Sequence, residues 1–395
     1  MKTIRFGIIG AGLMGREFAS AIARWCHLTE TDFKPELTAV CDKNEAILPW
    51  YRDHFPGLRL VTGDSRALLA SPDVDAVYCA VPHVLHQELY TAIIEAGKHL
   101  MAEKPFGIDK AANDAIMACI RRHPGVFVRC SSEFPFYPAV QRIGRMIEAD
   151  AFGPLLEVNA AFRHSSDLDA NKPINWKRLV AVNGEYGCMG DLGMHVCHVP
   201  FRAGWFPKNV RAILSDMVKT RPDGKGNTVP CETWDNATLL CESADPATGG
   251  PFPLTLKTQR IAPGETNSWS LEILGMRSCA RFSTQNPRRL ELLEYTGKEQ
   301  AWRQLDMGNE TAFKTITGGI FEIGFSAVLM QMFAAFMHEL THGKPIARFA
   351  GCVTPEETAW SHRLFTAALE SHKQAAVVAV SDGAAKRMDG LPRTG

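Results

Sequence analysis

The sequence has no Cys-x-x-Cys pair, no surplus of either charge, no long apolar run and no internal repeat. Its eleven cysteines, scattered from Cys26 to Cys352, have an odd total and no framework spacing. That pattern fits free thiols in a reducing compartment, so a cytoplasmic location is expected, and a zinc centre built on paired cysteines is not. The 43 basic and 43 acidic side chains cancel, and no Lys/Arg run could neutralise a row of phosphates. Nucleic acid is therefore not an expected partner. No uncharged apolar stretch reaches ~18 residues, the length a membrane span needs. Phe325 to Met337 is shorter and interrupted by Gln331, and it reads as a buried helix.

What is present is ordinary globular material: 395 residues, 46% hydrophobic and 22% charged, enough for two domains. Lys2 and Arg5 followed by Phe6 to Gly15 mimic a secretory signal. Three glycines at fixed spacing, with Arg16 and Glu17 directly after them, suit a phosphate-binding turn better. Apolar runs predict strands over Thr3–Ile9, Leu37–Cys41, Ala76–Val81, His99–Ala102 and Val126–Cys130. Helical spacing over Arg16–Trp25, His86–Ala96 and Lys110–Arg122 alternates with them. This alternation predicts a doubly wound parallel α/β sheet over residues 1–130.

Residues 131–395 read differently. After a helix (Ala139–Glu148) and the strand Leu155–Phe162, strand candidates follow in quick succession: Val210–Met217, Thr233–Cys241, Leu254–Gln259, Trp269–Leu274, Ser278–Phe282 and Leu290–Tyr295. Their alternating stretches predict a second α/β domain with a mainly antiparallel sheet. Thr220–Asn227 reads as a solvated loop and Ser381–Gly395 as a frayed tail.

Gly10-Ala11-Gly12-Leu13-Met14-Gly15 has the form G-x-G-x-x-G between a predicted strand and helix. Such glycines let backbone N–H groups and a helix N-terminus approach a pyrophosphate. The next strand ends at Asp42, 27 residues past Gly15. A carboxylate there accepts from the adenosine 2′- and 3′-hydroxyls and repels a 2′-phosphate, which favours NAD over NADP. Lys43 softens that preference. Lys104, in Glu103-Lys104-Pro105, follows a strand at its carboxyl end, where open α/β sheets bind ligands; a solvated surface charge is the alternative reading. In a helix, Asp191, His195 and His198 would share one face. An Asp beside a His can fix its tautomer and raise its basicity, as removal of a hydroxyl proton requires. A satisfied core histidine, or a metal held by His195, His198 and Asp191 or Cys188, are the alternatives.

At these residues the sequence resembles the glucose-fructose oxidoreductase/inositol dehydrogenase (Gfo/Idh/MocA) family over nearly its whole length. The resemblance rests on order: the glycine motif, Val81-Pro82-His83-Val84-Leu85-His86, Ala96-Gly97-Lys98-His99 leading to Glu103-Lys104-Pro105, and Asp191-Leu192-Gly193-x-His195. It implies a Rossmann domain followed by an α/β domain with an open, mainly antiparallel sheet, through which many members join as homodimers or homotetramers. It also implies NAD as cofactor, Val81, Pro82, His83, His86 and Glu103 beside it, and Lys104, Asp191 and His195 at the nicotinamide and the substrate carbon. Glu133, Arg163, His164, Trp176, Lys177 and His198 become substrate candidates. Where many relatives have an Asn and an Arg before a Phe-x-Pro, this chain reads Glu133-Phe134-Pro135-Phe136-Tyr137-Pro138, and His198 stands where Asp is common.

The activity implied is hydride transfer between nicotinamide and a hydroxyl-bearing carbon of a sugar, sugar acid or cyclitol. His195 is expected to act as base, assisted by Asp191, with Lys104 polarising the oxygen or sharing the base role. A redox-neutral glycoside hydrolase using tightly held NAD is the alternative, and a catalytically silent nucleotide-binding protein a third.

Overall fold

The computed structural model describes residues 1–308 and 310–380, so the tail Ser381–Gly395 lies outside the described residues. Six strands form the first sheet: β1 (Lys2–Ile9), β2 (Phe33–Cys41), β3 (Leu60–Thr62), β4 (Ala76–Cys79), β5 (His99–Ala102) and β6 (Val128–Cys130). All pair in parallel, in the order β3-β2-β1-β4-β5-β6. Helices α1 (Leu13–Ala23), α2 (Pro49–His54), α3 (Ser65–Ala70), α4 (His86–Glu95) and α5 (Lys110–Arg122) connect them. Every side chain of β4 is buried, as expected of a strand covered on both faces, so it reads as a continuous apolar run. Strand order reverses between β1 and β4, which opens a crevice at their carboxyl ends.

The second sheet has nine strands in the order β16-β15-β14-β13-β7-β12-β11-β8-β17. They are β7 (Leu155–His164), β8 (Asn209–Ser215), β11 (Asn236–Ala244), β12 (Pro251–Gln259), β13 (Asn267–Gly275), β14 (Ser278–Ser283), β15 (Arg289–Glu294), β16 (Arg303–Asp306) and β17 (Val378–Ala379). All neighbours are antiparallel except β12 with β7. In β11, Ala237, Leu239, Cys241 and Ser243 are buried and the residues between them are not, the period-two signature of a sheet with one covered face.

The covering layer includes α6 (Pro138–Glu148), the short α7 (Val180–Asn183), α8 (Cys188–Ala203), α9 (Phe325–His342) and α10 (Pro355–Gln374). α8 lies against β7 and β12 and is buried along its whole length. Its Gly193 admits the Phe365 ring of α10: a Cβ there would sit 2.2 Å from that ring's Cζ. α9 is the buried helix expected from the apolar run, but it packs back on the first sheet. Phe333 meets Phe18 and Tyr78 with ring centroids 4.6 and 5.4 Å apart. This packing fixes the second half of the chain against the crevice.

The stretch Thr220–Asn227 is not simply a solvated loop. β9 (Thr220–Pro222) and β10 (Thr228–Pro230) form a hairpin. Arg221 is buried and donates to the Asp169 carbonyl at 2.6 Å, and Ile174 N–H donates to the Pro222 carbonyl. The polar composition conceals a side chain that organises the neighbouring loop.

Candidate active site

The glycine motif builds the outer half of a cavity of about 610 Å³. Gly10 has φ +95°, and a Cβ on it would meet the Ala80 carbonyl at 2.2 Å; one on Gly15 would meet the Gly10 carbonyl at 2.3 Å. Both are required for the turn itself. Nothing lies within 4 Å of a Cβ on Gly12, so that glycine keeps space open for a ligand. α1 opens at Leu13, inside the motif, and no side chain caps it. Its first-turn N–H groups are therefore left for an anion. Asp42 and Lys43 line the far end of the cavity with Gly63 and Ser65. The Asp42 carboxylate accepts from Ala11 N–H at 2.7 Å and Asn44 N–H at 2.8 Å. These features fit a dinucleotide: an open backbone cradle for the pyrophosphate and an acid at the ribose end.

Gly10, Gly12, Leu13, Met14, Val81, Pro82, His83, Glu103 and Lys104 all line this cavity, together with Trp176, Lys177 and Asp191. Gly15 and His86 do not. Gly15 packs beneath the turn. His86 is a buried brace, its Nε2 on the Val81 carbonyl at 3.0 Å and its Nδ1 accepting from Gly107 N–H. His83 bonds the Asn183 carbonyl at 2.9 Å and meets Trp176 edge-on, and burial lowers its pKa to about 3.

Asp191, in the first turn of α8, is the electrostatic centre. Its Oδ1 accepts from Lys104 Nζ at 2.9 Å and Lys177 Nζ at 3.1 Å; its Oδ2 accepts from Lys177 Nζ at 2.9 Å and from Arg260 Nη1. Burial would raise the carboxyl, but Lys104, Lys177 and Arg260 outweigh it and hold Asp191 well below the usual range. Burial likewise opposes the Lys104 charge, yet Asp191 and Glu103 leave its pKa raised. Lys104 thus stays an ammonium. For Lys177 burial wins, with Arg260 and Lys104 adding repulsion, and its pKa falls to about 8.

Arg260, just past β12, also donates to Asp167 at 2.7 Å, and Asp167 accepts from Arg178, which pairs with Asp235. Sequence reasoning missed Arg260 and Asp167. The one available signal was an arginine directly after a predicted strand, which is common on surfaces.

His195 departs from the expected arrangement. With four hydrogen bonds from three cations on its two oxygens, Asp191 makes no hydrogen bond to the imidazole. Instead, His195 Nδ1 faces Ser132 Oγ at 3.2 Å and Glu133 Oε2 at 3.7 Å. The ring is wedged perpendicular to Phe134 and Phe162, with centroids 5.1 and 5.3 Å away. Burial, then the Lys104 charge, lowers its pKa well below the ordinary value, so the neutral imidazole available as a base is favoured. Burial pushes the Glu133 carboxyl up to about 7.

Among the other candidates, His164 adjoins the charged cluster; burial and then Arg260 lower its pKa to about 4. Arg163, its neighbour on β7, points to the opposite sheet face, where it pairs with Glu265 at 3.6 Å and lines a separate cavity of about 510 Å³. Strand alternation allows only one of the two to face the site. His198 turns away as well: its Nε2 lies 3.3 Å from Arg202, itself paired with Glu357. Cys188 meets Thr258. Hence the four possible metal ligands do not converge, and among the described residues no group of three His, Cys, Asp or Glu side chains is placed to hold an ion.

A phosphate-binding turn at the switch point of a parallel sheet, leading inward to an ammonium, a carboxylate and a neutral imidazole, defines a dinucleotide-dependent oxidoreductase. Residues 4–129 match the Gfo/Idh/MocA family model, described as "Oxidoreductase family, NAD-binding Rossmann fold". NAD is the cofactor. Levoglucosan dehydrogenase of Pseudarthrobacter phenanthrenivorans is 26% identical over 319 residues, 77% of this chain and 79% of that one. D-apiose dehydrogenase of Paraburkholderia graminis is 25% identical over 199 residues, 50% of this chain and 49% of that one. A solved levoglucosan dehydrogenase in complex with NADH and L-sorbose superposes with TM-score 0.83 over 97% of this chain and 100% of that one, at 23% identity. An oxidoreductase domain protein from Kribbella flavida gives TM-score 0.86 over 97% and 100%, at 21% identity. These two establish likeness of fold.

Proposed function

We propose that this enzyme transfers hydride between NAD and a hydroxyl-bearing carbon of a sugar, sugar acid or cyclitol. The observation that carries the reading is the meeting of Lys104 and Asp191 at the inner end of a cavity whose outer end holds the glycine turn and Asp42, with His195 one turn further along α8, behind that lining and within electrostatic reach of both. Relatives named as levoglucosan and D-apiose dehydrogenases support the substrate class. When bound, NAD supplies the hydride acceptor, held by the Gly12 cradle and the α1 N-terminus, with Asp42 at the ribose. Lys104, kept charged by Asp191, stabilises the alkoxide that develops as the hydroxyl ionises. His195 takes the hydroxyl proton at Nε2, to which no described protein group is bonded. Asp191 acts on Lys104 and Lys177 rather than on the imidazole.

Residues 1–130 then serve the cofactor and 131–395 the substrate, with Trp176, Lys177 and His164 nearest the substrate end. The enzyme works in the cytoplasm, a reading supported by its unpaired cysteines; among the described residues no helix is long and apolar enough to cross a membrane. It assembles as a homo-oligomer through the open face of the nine-stranded sheet, where Ile213 and Leu240 are exposed. The test is incubation with NAD and a panel of sugars, sugar acids, cyclitols and aryl glycosides, following NADH and released aglycone together. NADH formation with a polyol supports the reading; aglycone release without NADH replaces it with redox-neutral hydrolysis.

A further inference from the structure

The mechanism leaves unused a buried ionisable side chain close to the His195 imidazole. Glu133 follows β6, immediately before the turn Phe134–Phe136, and only 6% of it is exposed. Its carboxylate accepts from its own backbone N–H but from no other residue's side chain among the described residues, and Oε2 is 3.7 Å from His195 Nδ1. A carboxylate at such a depth ordinarily has a hydrogen-bonded partner. Ser132 Oγ, 3.2 Å from the same nitrogen, sits alongside. The Trp269 indole donates to the His195 carbonyl at 3.0 Å, anchoring that turn of α8. The ring is thus held with Nδ1 turned inward onto Ser132, Glu133 lying just beyond hydrogen-bond distance of the same nitrogen, and no described protein group bonded to Nε2.

We infer that Glu133 is the positioning and proton-relay carboxylate of this site: it keeps the Nδ1 proton of His195 turned inward and receives that proton when Nε2 takes one from the substrate hydroxyl. The inference rests on the oxidation proposed above. The exchange balances. The alcohol gives its O–H proton to Nε2 and its hydride to the oxidised dinucleotide, and becomes a ketone. The Nδ1 proton passes to Glu133, leaving a neutral imidazole and a neutral carboxyl. After product leaves, Nε2 yields its proton to solvent and Glu133 returns the other to Nδ1, so one proton is released per turnover.

The logic is that of a carboxylate behind a catalytic imidazole, where the acid fixes the tautomer. Here the acid lies in an apolar surround, and burial brings its carboxyl to about 7, close to the working range of a relay. The groups that face it are Glu103 and Lys104 at the end of β5, His195 on α8, and Tyr78 and Tyr137. On α9, packed against the same turn, Glu339 is tied to Arg129.

The test compares wild type with Glu133→Gln and Glu133→Asp in two ways. In ¹⁵N-histidine-labelled protein carrying NADH, the His195 Nδ1 resonance of wild type is expected to shift with an inflection near pH 7, which Glu133→Gln abolishes and Glu133→Asp retains. With a polyol that the enzyme oxidises, Glu133→Gln is expected to lower kcat at least about tenfold, to remove the ionisation near pH 7 from the kcat profile, and to leave KM and NADH affinity within about twofold; Glu133→Asp restores part of kcat. A flat Nδ1 shift in wild type overturns the relay, as does a Glu133→Gln enzyme with unchanged kcat and pH profile. If no polyol is oxidised, the functional reading fails separately, and the Nδ1 titration still decides whether Glu133 ionises against His195.

Discussion

Asp191→Asn removes the charge on which three cations converge while preserving side-chain shape. At 2.9 Å from Lys104 Nζ and an effective dielectric of about 20, the lost attraction is about 6 kcal/mol for that pair alone. The Asn carbonyl keeps a hydrogen bond and cavity water reaches the ammonium groups, so the net cost is about 3–5 kcal/mol, as for other broken buried pairs. Over 395 residues, an unfolding entropy of roughly 2 cal/mol/K per residue turns this into a fall in Tm of about 4–6 °C.

The loss should depend on pH. The Lys177 pKa is lowered to about 8 in the folded protein, from an ordinary 10.5. Between those values the unfolded chain binds the extra proton, so the stability contributed through Lys177 rises with pH. At pH 9 the wild-type lysine is largely neutral and has already lost its attraction to Asp191, so the Tm gap between wild type and variant narrows. Differential scanning calorimetry at pH 7 and pH 9 measures both gaps. A gap under about 1 °C at pH 7, or one as wide at pH 9 as at pH 7, would refute the placement of Asp191 at the centre of the cluster.

Other substitutions test the cavity. Gly12→Ala, with nothing within 4 Å of the new Cβ, should keep the wild-type Tm yet weaken NADH binding about tenfold or more, a loss of at least about 1.4 kcal/mol by titration. Gly15→Ala should lower Tm, because its Cβ meets the Gly10 carbonyl at 2.3 Å and overpacking of this kind costs about 1–3 kcal/mol. Asp42→Ala should erode discrimination against NADP, read as the ratio of kcat/KM for the two cofactors; an unchanged ratio removes Asp42 from ribose recognition. His195→Ala should still bind NADH but lose about 10²- to 10⁴-fold in kcat, and near-normal turnover would remove it as base.

Local features were legible in the sequence. The glycine turn and the strand before it are set by neighbours within a few residues, and the β/α alternation followed from burial on both sheet faces. The helical spacing of Asp191 and His195 correctly put both on α8. Spacing along one helix cannot say what meets that face from elsewhere, however. Asp191 is met by Arg260, 69 positions away, and His195 by Ser132, 63 positions away. Both partners come from chain segments joined only by the packing of α8 on β7 and β12 and on the turn after β6. Arg163 and His164 show the same limit: as neighbours on one strand they face opposite ways, and only the register of β7 decides which one reaches the site.

The most direct test of the central claim is the fate of a labelled hydrogen. A polyol found to reduce NAD, carrying deuterium at the oxidised carbon, would be incubated with wild type, Lys104→Met and His195→Ala, and the NADH recovered for mass spectrometry. Wild type should return one deuterium per NADH, with both variants at least about 10²-fold slower while still binding NADH. NADH without deuterium, or variants that reduce NAD at the wild-type rate, would contradict hydride transfer at the Lys104–Asp191–His195 site.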